Sequence, residues 1–101
     1  MNISRKQKGD ELTVSLEGRL DTNTASDLEQ EFESSINNSV KKLILDFTKL
    51  AYISSAGLRV VLMAKKKMIA LSGDISIFGA NDAIIEVFQM TGFLDILTLE
   101  N

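Results

Sequence analysis

Cysteine, histidine and proline are absent from this sequence of 101 residues, and the first two absences exclude whole classes of chemistry. Without cysteine, the chain forms no disulfide and offers no thiolate nucleophile. Without histidine, it lacks the commonest general base and metal ligand, so a Ser-His-Asp triad and a zinc site with cysteine or histidine ligands are excluded. Carboxylates, lysines and hydroxyls remain for chemistry. We expect a protein that is not an enzyme and that uses no cofactor or metal.

Long apolar runs and concentrated positive charge are also missing. No run approaches the ~18 residues of a membrane span, and the first residues lack the apolar core of a signal peptide. The net charge is −3, and basic residues form no stripe with interleaved aromatics, so direct nucleic-acid binding is not expected. The cluster Lys65–Lys67 suits a solvated face late in a helix. We therefore predict a cytoplasmic protein that binds neither membrane nor nucleic acid directly.

What the sequence does contain is the pattern of a single domain over residues 1–101. It is 45% hydrophobic and 25% charged, as is typical of globular proteins, and its length suits one domain rather than two. Residues 2–8 and the alternating stretch 12–20 predict two strands joined by a turn at 9–11. These strands are expected to form an antiparallel hairpin with Leu12, Val14 and Leu16 on the buried face.

An acidic helix is predicted after the cap-rich segment Asp21–Thr24, and it extends to about Asn37. Its apolar residues recur at helical spacing and form one stripe: Ala25, Leu28, Phe32 and Ile36. Four acids occupy other positions of the helix: Asp27, Glu29, Glu31 and Glu33. This acidic face is either solvated or an electrostatic surface for a partner, and the sequence leaves both interpretations open.

The second half of the chain alternates strands and helices. Strands are predicted at 40–47, 75–78 and 93–97, and helices at 56–70 and 83–91. Gly73 is expected to be the left-handed residue after the first of these helices. Asn81 or Asp82 is expected to cap the second helix, and Gly92 to end it. Its inward-facing residues are predicted to be Ile84, Val87, Phe88 and Thr91.

Strands that alternate with helices pair in parallel, and right-handed crossovers between neighbouring strands place every helix on one face of the sheet. Polar residues on the strands are expected on the other face: Thr13, Ser15, Glu17, Asp46 and Ser76. The predicted fold class is therefore α/β. It is a mostly parallel sheet of about four or five strands, with an N-terminal β-hairpin and with crossover helices packed on one face.

Functional groups in open parallel sheets gather at the carboxyl ends of the strands. Here that edge should present Asp21–Thr24, Ser54 and Ser55 with Arg59 one helical turn later, and Gly79–Asp82. A serine before a helix is usually a cap, but the helix start also favours an anion, such as a phosphate carried on a serine. We interpret this edge as a surface that a partner recognises.

A specific pattern surrounds the serine pair: Asp46-Phe47-Thr48, then Tyr52-Ile53, then Ser54-Ser55-Ala56-Gly57-Leu58. Two further landmarks are Gly18-Arg19-Leu20-Asp21 before an acidic helix and Phe88 with Thr91-Gly92-Phe93. Together these stretches resemble the STAS domain family over essentially the whole chain. That family includes the bacterial anti-sigma factor antagonists, and the resemblance implies the same one-sided α/β layer.

The resemblance implies a partner-switching function. Such an antagonist binds an anti-sigma factor, often itself a serine kinase, and thereby releases the sigma factor for transcription. The kinase ends the interaction by phosphorylating a serine, and a PP2C-type phosphatase restores it. Aligned on Gly57 and Leu58, the acceptor falls on Ser55, while Ser54 stands where many members have aspartate and Ala56 where a second hydroxyl is usual.

The implied partner-binding residues are Asp21, Thr22, Asn23, Thr24, Ser54, Ser55, Ala56, Gly57 and Arg59. Arg59, four residues beyond Ser55, could reach a phosphate from the same helical face. The alternative within the family is a subunit of a lipid-transport or other regulatory complex that is not phosphorylated. A serine hydrolase built on Asp21, Asp46 and Ser55 is the enzymatic alternative, but its nucleophile would lack the usual base.

Overall fold

Five strands arranged in chain order form the sheet on which the rest of the chain packs. The computed structural model describes residues 1–100. The elements are β1 Asn2–Lys8, β2 Glu11–Leu20, α1 Ala25–Ser35, β3 Lys42–Ile53, α2 Ser55–Ala70, β4 Asp74–Phe78, α3 Asp82–Thr91, a 3₁₀ turn Phe93–Asp95 and β5 Thr98–Glu100. None of these helices has the length and apolar character that crossing a membrane requires.

The sheet is parallel except at its first strand. The strand order is β1-β2-β3-β4-β5; β1 pairs antiparallel with β2, and every later neighbour pairs in parallel. Sequential parallel neighbours joined by right-handed crossovers put the helices on one face. The predicted fold class is confirmed.

The core lies between the helices and one face of the sheet. Its largest fully buried side chains include Phe32 of α1, Phe47 of β3 and Phe88 of α3. The four residues of the apolar stripe predicted for α1 are all buried: Ala25, Leu28, Phe32 and Ile36. On the strands, polar residues alternate with the buried ones as predicted. Ser76 is nevertheless 4% exposed, so the polar face is itself covered near β4.

The core strand is longer than its sequence pattern indicates. It was predicted over 40–47, but β3 starts at Lys42 and continues to Ile53. Its second half stays paired with β2 through two register shifts, and Leu20 ends opposite Ile53. Leu50 and Ile53 are both 2% exposed. The irregular register breaks the simple alternation on which the prediction relied.

The end of α2 differs from the prediction. The left-handed residue is Ser72, with φ 59°, and not Gly73. Glycine is required at position 73 for a different reason. A Cβ there would lie 2.6 Å from the carbonyl oxygen of Lys41 and 2.7 Å from Cε of Met68. The glycine therefore lets the chain pass close to β3 before β4 begins.

The C-terminal predictions need two corrections. The strand predicted at 93–97 is instead a 3₁₀ turn, because the N–H groups of Ile96 and Leu97 both donate to the carbonyl oxygen of Phe93; β5 follows it. The Phe93 ring stacks on Phe88 with centroids 6.3 Å apart. Thr91 is exposed rather than buried, and its hydroxyl donates to the carbonyl oxygen of Val87.

Candidate functional site

Three loops meet where β2, β3 and β4 end, and they form what we call the carboxyl-edge surface, residues 21–24, 54–59 and 79–82. Direct hydrogen bonds join them to the neighbouring strands. The N–H of Ser54 donates to the carbonyl oxygen of Leu20 at 2.9 Å. The Asn81 side chain donates to the carbonyl oxygen of Leu50 at 3.1 Å, while its oxygen caps α3 by accepting from Ile84 N–H. The three loops therefore lie at one edge of the sheet, as the sequence predicted.

Asp21 and Thr24 organise the first loop. One Asp21 carboxylate oxygen accepts the backbone N–H groups of Asn23 at 2.9 Å and Thr24 at 3.1 Å. The Thr24 hydroxyl accepts from Asp21 N–H at 2.9 Å and donates to the carbonyl oxygen of Arg19 at 2.8 Å. These bonds fix the loop, and they leave Thr22 and Asn23 exposed for contact.

The charge state of Asp21 follows from the same contacts. Desolvation raises the pKa of the Asp21 carboxyl, but hydrogen bonds from Thr24 and Asn23 and the nearby positive charge of Arg19 outweigh it. The net effect is a pKa below the ordinary value, so the first loop carries a stable negative charge at neutral pH.

The two adjacent serines occupy different positions at the start of α2. Ser54 is the N-cap, and its hydroxyl oxygen accepts the N–H of Gly57 at 3.2 Å. Ser55 is the first residue of the helix. It is exposed, and within residues 1–100 its hydroxyl has no hydrogen-bond partner. The oxygen that lies among the free helix N–H groups is thus that of Ser54.

Gly57 seats the start of α2 directly on the sheet. A Cβ at this position would lie 2.6 Å from Cγ of Leu20 and 3.0 Å from Cγ1 of Ile53. Glycine is therefore needed for the helix to approach the ends of β2 and β3 this closely. The approach holds the start of α2 against Leu20, the residue before the loop that starts at Asp21.

A groove of about 220 Å³ separates the first turns of α1 and α2. Its lining residues are Thr22, Ala25, Ser26, Glu29, Ala56, Arg59, Val60 and Met63. The structure thus brings Thr22, Ala56 and Arg59 of the predicted binding set together, with the exposed Arg59 on the helix side of the surface.

Asp46 does not belong to this surface. It lies seven residues before Ile53 on β3, roughly 20 Å along the strand at ~3.3 Å per residue. Its carboxylate accepts the N–H and hydroxyl of Thr48 and contacts Ser15 on the polar face of the sheet. The hydrolase arrangement of Asp21, Asp46 and Ser55 is therefore not formed.

One pair of side chains at this edge was missed from the sequence. The Arg19 guanidinium lies over the ring of Tyr52, 4.3 Å from its centroid. The two residues are opposite each other in β2 and β3. The prediction ended β3 at residue 47 and so gave Tyr52 no strand position. The apolar residues Leu50 and Ile53, which are buried, indicate that the strand continues beyond residue 47.

Comparison with known proteins gives a consistent result. The family model of the STAS domain matches residues 2–101. BtrV of Bordetella bronchiseptica, a candidate anti-sigma factor antagonist, is 34% identical over 90 residues, which are 89% of this chain and 78% of BtrV. The anti-sigma-B factor antagonist of Listeria monocytogenes is 28% identical over 104 residues, covering 100% of this chain and 91% of that protein.

A solved structure shares the fold. The Bacillus cell fate determinant SpoIIAA in its phosphorylated form superposes with a TM-score of 0.78 at 19% identity, covering 99% of this chain and 92% of SpoIIAA.

Proposed function

The chain belongs to the STAS domain family, and from that premise we propose that it is an anti-sigma factor antagonist switched off by phosphorylation of Ser55. In its active form it binds an anti-sigma factor through the carboxyl-edge surface and so releases the sigma factor. Two relatives that are named as anti-sigma factor antagonists support this role. In this proposal the protein acts in the cytoplasm by binding the anti-sigma factor, and it catalyses no reaction.

The observation that carries the proposal is the contrast between the two serines. Ser54 is half-buried and its oxygen is used as a helix cap, whereas Ser55 is exposed with a free hydroxyl. A kinase needs an accessible hydroxyl, and transfer to Ser54 would disturb the cap. Position and accessibility therefore both favour Ser55 as the acceptor.

The fold tolerates a phosphate at this position for a physical reason. Ser55 is the first residue of α2, where the helix dipole favours negative charge by ~0.3–1 kcal/mol. Arg59 lies one turn later and is exposed, so its guanidinium is available to the phosphate oxygens. SpoIIAA, solved in a phosphorylated form, is a protein of this fold that carries a phosphate.

The same phosphate is incompatible with a docked partner. It adds about −1.5 to −2 charges at neutral pH in the middle of the proposed interface. Burying that charge without matched partners costs several kcal/mol. We therefore propose that the anti-sigma factor is itself the serine kinase, and that a PP2C-type phosphatase restores binding.

The experiment is a phosphorylation assay with the anti-sigma kinase from the same organism and ATP. Cleavage after Lys49 and Arg59 yields one peptide with Ser54 and Ser55 as its serines, and Thr48 falls in the preceding peptide. Fragment-ion mass spectrometry should place the phosphate on Ser55. The Ser55→Ala variant should bind the kinase and remain unmodified.

Two outcomes would overturn the proposal. The first is a phosphate on Ser54 with Ser55 unmodified, which would show that Ser54 and not Ser55 is the regulatory residue. The second outcome is that the protein is not phosphorylated, binds no anti-sigma factor and instead captures a lipid-transport subunit. That result would favour the alternative function, a subunit of a lipid-transport complex that is not phosphorylated.

A further inference from the structure

Arg19 and Tyr52 form an exposed pair beside the serine turn, and we call it the Arg19–Tyr52 platform. The guanidinium carbon lies 4.3 Å from the ring centroid, and Tyr52 is 40% exposed. Their next neighbours along the strands, Leu20 and Ile53, are buried in the core. Because Arg19 and Tyr52 are exposed while the next residue of each strand is buried, the platform faces away from the core. A large aromatic ring exposed there contributes little to the core.

The guanidinium of the platform forms no ion pair within residues 1–100. The ion pairs of this region of the chain are Arg5 with Glu31 at 3.0 Å and Lys49 with Glu17 at 3.9 Å. The neighbouring Asp21 carboxylate is already bonded to the N–H groups of its own loop. Arg19 thus presents several N–H donors to solvent while the aromatic ring holds the group in place.

The platform adjoins the carboxyl-edge surface. Leu20, the residue after Arg19, accepts the N–H of Ser54 at 2.9 Å. The strand end that carries Arg19 is therefore bonded to the turn that precedes Ser55. A partner that covers Ser55 and extends over the rim of the sheet meets the platform.

We propose that the Arg19–Tyr52 platform binds a carboxylate side chain, aspartate or glutamate, of the anti-sigma partner and helps to set partner specificity. This inference rests on the proposed function. An arginine binds a carboxylate in a two-pronged geometry that a lysine does not reproduce. Stacking on Tyr52 orients the guanidinium beforehand, which lowers the entropy lost on binding. Arginine and tyrosine are also among the residues that most often dominate interface energies.

The platform also increases the effect of Ser55 phosphorylation on partner binding. With a partner carboxylate held at Arg19, a phosphate on Ser55 brings a second negative charge into the same proposed interface. Repulsion between them adds to the cost of burying the phosphate.

The test measures binding of the purified anti-sigma kinase to charge variants by calorimetry. Arg19→Ala should weaken binding about tenfold, and Arg19→Glu by roughly a hundredfold, since like charges then face each other. Lys66→Glu makes the same charge change at an exposed position of α2, so it serves as the matched control and should alter affinity less than about twofold. Melting curves of each variant verify folding.

Tyrosine variants separate the ring from its hydroxyl. Tyr52→Phe keeps the face on which the guanidinium stacks and should bind within about twofold of the parent, whereas Tyr52→Leu should lose several-fold. Tyr52 is the only tyrosine and tryptophan is absent, so intrinsic fluorescence of the free protein reports on the platform. Arg19→Leu should change that fluorescence without a partner.

The outcomes distinguish this inference from the function on which it rests. If the parent binds, Ser55→Asp does not, and Arg19→Glu and Tyr52→Leu bind as tightly as the parent, the platform is no binding site and the antagonist function stands. If the parent binds no anti-sigma factor, both proposals fail. Restored binding of Arg19→Glu by an acid-to-lysine change in the partner would identify the carboxylate.

Discussion

Neighbouring serines of identical chemistry have different roles because their backbone positions differ by one residue. Ser54 has extended backbone angles, φ −97° and ψ 174°, which direct its oxygen back to the helix N–H groups. Ser55 already belongs to the helix, so its hydroxyl points to solvent. The sequence placed the proposed acceptor on Ser55, and the structure shows that Ser54 is the residue that caps the helix.

Alanine substitutions of the two serines should have different effects on the free energy of unfolding. Ser54→Ala removes the acceptor for Gly57 N–H and should lower the free energy of unfolding by ~0.5–2 kcal/mol. Ser55→Ala, the matched control one residue later, should change it by less than about 0.5 kcal/mol. Urea unfolding of both variants measures the difference. Equal losses would mean that Ser54 is not the cap.

Asp21 makes stability sensitive to acid. Its pKa is lowered in the folded protein, chiefly by hydrogen bonds that overcome desolvation. Its contribution is therefore fully present above the ordinary aspartate pKa and is lost as the pH falls through the lower, folded-state pKa. In Asp21→Asn this residue does not titrate, so the variant should lose less stability than the parent between neutral and strongly acidic pH. Denaturant midpoints measured across that range test this. A steeper loss in the variant would contradict the assignment.

At the scale of the elements, the approach of α2 to the ends of β2 and β3 depends on one missing side chain. Gly57→Ala would gain helix propensity, ~0.8–1 kcal/mol at most. However, the new methyl would meet Leu20 and Ile53 at 2.6 and 3.0 Å. Overpacking of this kind costs ~1–3 kcal/mol.

We therefore expect Gly57→Ala to lower the melting temperature and to shift the position of Ser55, since α2 must move away from the sheet. Calorimetric melting tests the first effect and backbone amide shifts of residues 53–58 test the second. The control is Ser55→Ala, which adds no contact with the sheet. A variant as stable as the parent, with unchanged shifts, would show that the close approach has no consequence.

Elements with regular periodicity were predictable, and those governed by long-range pairing were not. The stripe of α1 and the alternation of β2 depend on local spacing, so the sequence located both. The extension of β3 depends on irregular pairing with β2. Gly73 was assigned a left-handed conformation because the contact with Lys41 cannot be read from local sequence.

For the whole molecule, the order of the strands assembles the site. Because β2, β3 and β4 are parallel neighbours, their following loops meet at one edge, and this followed from the sequence once the alternation of strands and helices was recognised. The Arg19–Tyr52 platform did not follow, since it requires the register between β2 and β3. The sequence thus predicted the loops at this edge but not the contact between Arg19 and Tyr52.

The location of the interface can be mapped directly. Addition of the purified anti-sigma factor should move the amide signals of Asp21, Thr22, Asn23, Ser55 and Arg59 most. These residues belong to loops held at one edge by hydrogen bonds. The internal reference is the polar sheet face around Asp46, which should shift little. Shifts confined to that face would place the partner elsewhere.

The most direct test of the central claim is the Ser55→Asp variant, measured in parallel for folding and for binding to the anti-sigma factor. A carboxylate at the start of α2 suits the helix dipole, so the melting temperature should stay close to that of the parent. Binding should weaken at least about tenfold, a loss of ~1.4 kcal/mol.

Lys66→Glu is the control, because it adds negative charge at an exposed position of α2 that lies outside the carboxyl-edge surface; it should bind like the parent. The account predicts a folded Ser55→Asp protein that fails to bind. A folded Ser55→Asp protein that binds as tightly as the parent would contradict it.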